Sequence, residues 1–207
     1  SYDREYKNFN LYLNLDSHDE YNIDGLINYL KKYNFKGVIF NNYRDLNFIE
    51  DFRNNGFLIR IGRYLNVFNS YTLDFYSDFA ERICISSEAD LDFINKNSEI
   101  YPLEVLAYGR VELMNMRHCP FSTIKKCDLK GCPTCKFKEG KLKSVDGATM
   151  KVIRYGNYTK IYPDKATNFD KTKFNKNVSV LYSVMSDEDL FNEKSAKNRN
   201  SYTKGVI

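Results

Sequence analysis

The sequence predicts an α/β fold for residues 1–110, in which about five parallel strands alternate with helices. Short apolar segments with the period of a strand are followed there by segments with the period of a helix. After Tyr108 the alternation stops, and residues 109–162 are rich in turn-forming residues and contain four of the five cysteines. Five strand–helix units are too few for an eight-unit barrel, so two options remain: an open doubly wound sheet or part of a (β/α) barrel.

The first strand–helix unit has the clearest pattern. Residues 9–15 are apolar at alternate positions, which predicts a strand. From Ile23 to Leu30, apolar residues recur at i, i+3, i+4 and i+7, which predicts a helix with one apolar stripe. Gly37 ends the following turn, and a short strand is predicted at residues 38–40.

The pattern then repeats with shorter segments. Side chains that cap helices precede two of the predicted helices, and an Asn-Asn-Gly sequence ends one of them. Three further strands are predicted: strand 57–61 after a helix that Asp45 caps, strand 82–85 after a helix near residues 73–79, and strand 103–108 after a helix that Ser87 caps and that continues through Asp90.

The composition is that of a soluble folded protein. Of 207 residues, 43% are hydrophobic and 28% are charged, and no apolar segment approaches the roughly 18 residues of a membrane span. The first residues are polar and aromatic and do not form a secretory signal, so we expect a cytoplasmic protein without membrane association. The chain does not begin with Met, which is consistent with a fragment of a longer protein.

The charge is unevenly distributed. The net charge is +4, yet residues 117–160 contain eleven Lys and Arg against three Asp and Glu, so this segment alone carries +8. Two interpretations remain open, a set of solvated lysine-rich loops or a surface that holds phosphate or another anion.

Four cysteines within 17 residues are the most informative feature of the sequence. Cys119, Cys127, Cys132 and Cys135 are separated by seven, four and two residues, and Gly131 and Pro133 favour a tight turn around the last pair. Four thiolates in such a segment are typical of structural zinc or of an iron–sulfur cluster, and the spacing does not choose between them. Disulfides and unrelated buried thiols are the alternatives.

Other cysteine and histidine chemistry is less well supported. Cys84 lies in a predicted strand, where a small buried and unreactive residue is expected. His118 precedes Cys119, but neighbouring side chains in an extended chain point in opposite directions, which disfavours a Cys–His nucleophile pair. The sequence also lacks the zinc-protease His-Glu-x-x-His motif, the hydrolase Gly-x-Ser-x-Gly motif and the phosphate-binding Gly-x-x-x-x-Gly-Lys motif.

Several motifs together resemble the peptidase U32 family, also called collagenase-like proteases. The match centres on Glu104–Met114, followed by Arg117-His118-Cys119-Pro120. Upstream and downstream segments follow in the family's order: Leu65–Ser70, Ile85–Glu88, Cys132–Lys136, Gly156-Asn157 with Ile161-Tyr162, and Tyr202–Gly205.

The resemblance implies a domain organisation. Residues 1–110 would be the later part of a TIM-like (β/α) barrel, residues 111–165 a metal-binding segment, and residues 166–207 a helical tail that completes the barrel domain. A helix start is predicted at Ser186–Leu190. The earlier strands would come from a missing barrel half or from a second copy of the chain.

The resemblance implies two enzyme functions. The family name denotes proteolysis, whereas several relatives are implicated in oxygen-independent hydroxylation of transfer RNA, ribosomal RNA or a quinone precursor, some with a four-iron four-sulfur cluster. The four cysteines match the second activity better, on RNA or on a small anionic substrate. The basic segment suits RNA, although no interleaved series of aromatic residues is evident in the sequence. A non-catalytic fragment stabilised by zinc is the third hypothesis.

Substrate contacts are expected where barrels place them, at the carboxyl ends of the strands. Polar residues follow the predicted strands at these positions: Arg63, Asn66, Asn69, Glu88, Tyr108 and Arg110. Arg63, Arg110 and Arg117 are predicted to bind a carboxylate or phosphate, with Asn66 nearby and Glu88 orienting one arginine. The alternative is a structural Arg–Glu pair at the rim, and no catalytic residue is assigned.

Overall fold

A computed structural model describes residues 9–16, 20–128, 132–156, 158–183 and 197–198 of the chain. This mixed α/β chain divides into two units. The first unit contains the described residues up to Leu106 together with Asp170–Leu181. The second contains Ala107–Phe169 and the described residues from Tyr182 onward.

Strands and helices alternate along the first unit as the sequence predicts. The strands are β1 (Tyr12–Asn14), β2 (Gly37–Phe40), β3 (Leu58–Ile61), β4 (Ala80–Cys84) and β5 (Leu103–Gly109), the last of which leads into the second unit. The helices are α1 (Ile23–Lys32), α2 (Ile49–Asn54), α3 (Ser70–Ser77) and α4 (Leu91–Asn97), with 3₁₀ turns at Tyr43–Phe48 and Arg63–Leu65.

The order of the strands decides between the two predicted folds. Strands β1 to β5 are parallel, and each pairs with the next one in the chain. A doubly wound sheet would reverse the strand order near its middle, and this sheet does not. Right-handed connections between successive neighbours place the helices on one face. The result is a curled, parallel-rich sheet that forms half a barrel, so the prediction of a partial barrel is confirmed at this level.

The helix-facing side of this sheet forms the core of the first unit. Alternate residues of the strands, such as Val38, Phe40, Ile59 and Ile61, are almost completely buried. Phe40 packs against Phe52 of α2 with ring centroids 5.7 Å apart. Burial of each such side chain contributes about 2 kcal/mol, which explains why alternate strand positions are strictly apolar.

Polar side chains set the beginnings of the helices. Asn22, Asn69 and Asp90 each accept a hydrogen bond from a backbone amide in the first turn of α1, α3 and α4. The prediction that Ser87 caps the last of these helices was wrong, because Asp90 takes the N-cap position. The second helical segment differs from the prediction that Asp45 is its cap. Asn42 caps the 3₁₀ turn, and Asp45 completes a capping box by accepting from the Asn42 amide.

The second unit contains an antiparallel sheet that the sequence analysis missed. Its strands are β6 (Met114–Met116), β7 (Glu139–Lys143), β8 (Thr149–Tyr155) and β9 (Tyr158–Pro163), in the order β6-β9-β8-β7. Helix α5 (Pro120–Lys125) and a 3₁₀ turn at Cys132–Thr134 lie between β6 and β7. The expectation of a merely turn-rich segment was wrong, because lysines stand at positions of β7 and β8 where the strand period was sought in apolar residues.

The described part of the C-terminal region consists of short strands and one turn. They are β10 (Thr167–Asn168), a 3₁₀ turn (Lys171–Lys173), β11 (Ser179–Ser183) and β12 (Lys197–Asn198). The predicted helix start at Ser186–Leu190 lies outside the described residues. Across the described ranges, no helix is long and apolar enough to cross a membrane.

Candidate functional site

The side chain of Asn41 joins the carboxyl ends of β1 and β2. This buried amide donates hydrogen bonds to Asn14 Oδ1 at 2.7 Å and to the Leu15 carbonyl at 3.0 Å. Gly62, at the end of β3, leaves room for it, since a Cβ there would lie 2.1 Å from Asn41 Oδ1. The carboxyl edge of the sheet is therefore ordered by a polar side chain that the sequence analysis did not single out.

Asp45 holds the loop that follows β2. Its side chain is fully buried and accepts hydrogen bonds from the backbone amides of Asn41 and Asn42 and from the Tyr21 hydroxyl, at 3.1, 3.0 and 2.7 Å. Arg44 lies 3.9 Å away. The carboxylate satisfies donors that would otherwise be buried without partners, so it fixes the position of Asn41 at the edge of the sheet.

Asn66 and Glu88, two of the predicted substrate-binding residues, meet at Ser86. The Ser86 hydroxyl donates to Asn66 Oδ1 at 2.5 Å and accepts from the Glu88 amide at 3.2 Å. Asn66 has φ of 49°, a left-handed conformation that Asn tolerates better than most residues. The sequence signal for Ser86 was its place directly after a predicted strand.

Arg63 lies at the same edge of the first unit. It begins the 3₁₀ turn after β3, and its Nη2 donates to the Tyr64 hydroxyl at 2.8 Å while its guanidinium lies 4.8 Å from that ring. Within the described ranges, Glu88 forms no ion pair with an arginine. Glu88 contributes its backbone to this edge, and its predicted role in orienting an arginine stays a prediction.

Arg110 and Arg117 belong to the second unit. Arg110 Nη1 donates to the carbonyls of Pro163, at 2.8 Å, and Asp164, which ties the chain after β5 to the turn after β9. Arg117 is exposed between β6 and α5. Their predicted role in binding the same anion as Arg63 stays a prediction.

A charged network crosses the other face of the parallel sheet. Tyr12 of β1 lies across Gly37, places its ring 3.8 Å from the Arg60 guanidinium and donates to Glu81 at 2.5 Å. Arg60 also donates to Glu81 at 3.1 Å and lies 3.9 Å from Glu104. A register shift makes this possible, because Ile59 and Arg60 pair with Ala80 and Arg82 and leave Glu81 as the extra residue.

Cys84 is buried beside this network and is unsuited to nucleophilic chemistry. Burial raises the pKa of its thiol to about 12, with the charge of Glu104 adding to the effect and that of Arg63 opposing it. The thiol therefore stays protonated at neutral pH. The structure confirms the predicted burial of this residue.

The two glutamates of the network have opposite pKa shifts. Desolvation disfavours the Glu81 carboxylate, but hydrogen bonds from Tyr12 and Arg60 and the positive charges of Arg60 and Lys36 outweigh it and lower its pKa. Desolvation raises the pKa of Glu104, with Arg60 and Arg82 opposing this shift.

We expect Glu81→Gln to lower the free energy of unfolding at pH 7 and Glu104→Gln to leave it unchanged or raise it. The stabilisation from Glu81 is present above its unfolded pKa of about 4.3 and is lost as pH falls through the lowered folded value. The folded state favours protonated Glu104. The free energy of unfolding therefore decreases as pH rises through the raised folded-state pKa of this residue. Urea unfolding of both variants between pH 4 and 8 measures this, and equal losses at pH 7 would contradict it.

The four clustered cysteines occupy three different environments. Cys119 directly precedes α5 and is buried, whereas Cys127 is exposed directly after the left-handed Lys126 that ends this helix. Cys132 and Cys135 are half-buried, and the Cys135 amide donates to the Cys132 carbonyl at 3.3 Å. This last pair has the tight turn that two ligands of one metal centre require.

The four cysteines have suitable chemistry for a metal centre, but their arrangement in the structure is not that of a complete one. None of the four cysteines forms a disulfide. Among the residues that the structure describes, no three His, Cys, Asp or Glu side chains lie together as a metal ion requires. The four-cysteine centre therefore stays a prediction.

One face of the antiparallel sheet combines tyrosines and lysines. The rings of Tyr155 and Tyr158 stack at 5.6 Å with an interplanar angle of 19°. The Lys160 ammonium lies 5.4 Å from the Tyr158 ring and forms a buried ion pair with Glu112 at 3.4 Å. The aromatic residues that the sequence analysis sought in one series are thus brought together by strand pairing.

Comparison of the chain with protein-family models, curated proteins and solved structures found no match. The resemblance to the peptidase U32 family therefore depends on the motifs quoted above and stays a prediction.

Proposed function

We propose that the protein is an enzyme of the peptidase U32 type, a TIM-like (β/α) barrel segment that acts on RNA or on a small anionic substrate. The observation that carries the proposal is the sequentially ordered parallel half-barrel with ordered polar groups at its strand ends. Arg63, Asn66 and Ser86 lie at the edge where enzymes of this architecture bind their substrates. Arg63 supplies the positive charge that a phosphate or carboxylate requires.

The second part of the proposal is a thiolate-bound centre. Cys119, Cys127, Cys132 and Cys135 would hold an iron–sulfur cluster, with zinc as the alternative, after the loop that contains them adjusts. A bound cluster would supply one-electron redox chemistry. The residues of the half-barrel bind and orient the anion, and the protonated thiol of Cys84 takes no part as a nucleophile.

We expect protein purified without oxygen to contain iron and sulfide. With water as the source of the hydroxyl oxygen and an added two-electron acceptor, it should form a hydroxylated nucleoside in transfer or ribosomal RNA. The double variant C132S/C135S should lose both the metal and the product. Arg63→Gln should keep the metal and lower RNA product formation at least tenfold, since a hydrogen bond to a charged group contributes about 1.5–3 kcal/mol. Metal analysis and mass spectrometry of digested RNA measure these effects.

The controls are Cys84→Ser, which lies outside the four-cysteine segment, and Arg53→Gln, an arginine half-exposed on α2. Both should retain metal and product. Stoichiometric zinc without product would favour the non-catalytic hypothesis, and cleavage of a peptide by C132S/C135S would favour the peptidase hypothesis. Protein without any metal would contradict the proposed centre.

A further inference from the structure

We propose that one face of the β7-β8-β9 sheet binds single-stranded RNA, with the bases stacked on Tyr155 and Tyr158 and the phosphates held by lysines. The inference deepens the proposed function by naming a surface for the substrate. It rests on that function only for the choice of RNA as the nucleic acid.

Strand register defines this surface, which we call the Tyr–Lys face. Residues directly opposite each other in an antiparallel pair lie on the same face of the sheet. Tyr155 is opposite Tyr158, and Lys151 is opposite both Lys141 and Tyr162. The members of the face along the three strands are Glu139, Lys141, Lys143, Thr149, Lys151, Ile153, Tyr155, Tyr158, Lys160 and Tyr162.

The opposite face packs against helix α5. Val152 and Ile161 are buried there, and Phe121 of α5 packs directly on Gly140, where a Cβ would lie 2.6 Å from the ring. The Tyr–Lys face is accessible in part. Tyr155, at the end of β8, is 39% exposed and the Lys141 side chain of β7 is 70% exposed, whereas Lys160 and Tyr162 of β9 are buried.

The two tyrosines form a ready platform for bases. Their rings lie nearly parallel, and Tyr155 is partly exposed. The Lys160 ammonium lies over both rings, 5.7 and 5.4 Å from their centroids, and its buried ion pair with Glu112 fixes its position beside the tyrosine pair. Aromatic rings presented in this way stack with unpaired bases of any sequence.

The lysines of the face provide the complementary charge. Lys141 and Lys151 lie side by side, with Lys143 exposed at the next position of β7 that faces the same way. Lys141 pairs with Asp164 at 3.3 Å and Lys151 with Glu139 at 3.6 Å. Such partly exposed pairs contribute little to stability, so phosphate groups can compete for the ammonium groups. The +8 charge of residues 117–160 favours an anionic partner of considerable length.

The combination favours single-stranded RNA over the other anionic partners. A double helix keeps its bases stacked on one another and would contact only the lysines. An acidic peptide would likewise use the lysines and gain nothing specific from the tyrosine pair. Only an unpaired strand uses both halves of the surface, since its bases are free to stack and its phosphates follow the lysines.

The test is fluorescence anisotropy with the full chain and labelled oligouridine of about twelve nucleotides, the length range of such sites. Tyr155→Ala should weaken binding about tenfold, whereas Tyr155→Phe should stay within about twofold because it keeps the ring. The double variant K141A/K151A should lower the slope of log affinity against log salt by about 1.4, or about 0.7 for each phosphate that a lysine no longer neutralises. Tyr71→Ala, at a tyrosine 85% exposed on α3, is the matched control and should bind like the wild type.

Three results would overturn the inference: Tyr155→Ala binding as tightly as the wild type, an RNA duplex of equal length binding as tightly as the single strand, or polyglutamate competing with the same dependence on Tyr155. Circular dichroism of each variant checks that it is folded. Binding with the expected variant effects but without nucleoside product would support the Tyr–Lys face and contradict the proposed enzyme. Normal product formation by Tyr155→Ala would support the enzyme and contradict the face.

Discussion

Replacement of Asp45 by alanine is expected to lower the free energy of unfolding by about 4 kcal/mol, because it leaves one buried and two half-buried donors without this acceptor. The donors are the amides of Asn41 and Asn42 and the hydroxyl of Tyr21. The positive charge of Arg44, 3.9 Å away, would also lose its neighbour. Urea unfolding followed by circular dichroism measures the loss.

Asp78 provides the matched control, since it is an exposed aspartate directly after α3. Asp78→Ala should change the free energy of unfolding by no more than about 0.5 kcal/mol. Asp45→Asn keeps the size and one acceptor oxygen, so its loss should be smaller than that of Asp45→Ala. An Asp45→Ala variant as stable as Asp78→Ala would show that the loop after β2 does not depend on this carboxylate.

Gly37→Ala is expected to destabilise the protein by about 3 kcal/mol, because a Cβ has no room at this position. It would lie 2.0 Å from the Leu58 carbonyl oxygen of β3 and 2.9 Å from the ring of Tyr12. The neighbouring strand cannot yield without loss of its backbone hydrogen bonds. The displaced Tyr12 ring would also leave the Arg60 guanidinium and the Glu81 carboxylate.

Gly25→Ala is the control, because Gly25 lies in helix α1 and its added Cβ would meet only the Asn22 side chain at an ordinary 3.6 Å. This substitution should stabilise the protein by up to about 1 kcal/mol, as alanine is the better helix former. Both variants can be compared by thermal and urea unfolding. A Gly37→Ala variant as stable as the wild type would show that the packing of Tyr12 across β2 does not require glycine at this position.

The strand–helix alternation of the first unit was predictable, because the spacing of apolar residues within each short segment indicates whether that segment is a helix or a strand. The stripe from Ile23 to Leu30 and the buried strands at residues 38–40 and 58–61 are apolar for one reason, the single core on the helix side. Strand order was not predictable in the same way, since pairing depends on contacts between distant residues.

The antiparallel sheet was missed because its exposed face is basic. In β7, Lys141 and Lys143 alternate with Leu142, and in β8 Lys151 stands between Met150 and Val152. This is the period of a half-exposed strand, but the search for strands relied on continuous or alternating apolar residues in a segment dominated by charge. Alternation of charged with apolar residues is the sequence signal that indicates β8.

The candidate site was predictable in its location and not in its contacts. The place of Asn66 and Glu88 after strands was enough to bring them to one edge, where Ser86 joins them. The ties from Asn41 to Asn14 and from Tyr12 to Glu81 join residues 27 and 69 positions apart, and no local pattern contains that information. Cysteine spacing likewise predicts a shared centre without locating each sulfur.

The sequential strand order has a consequence for how the chain assembles. Each strand of the first unit pairs with the one synthesised just before it, so every new strand–helix–strand step closes a short loop at small entropic cost. The half-barrel can therefore accumulate strand by strand from the amino end as the polypeptide leaves the ribosome. The Tyr12–Glu81 bond joins β1 to β4, so it can form only after four strands of the growing sheet are in place.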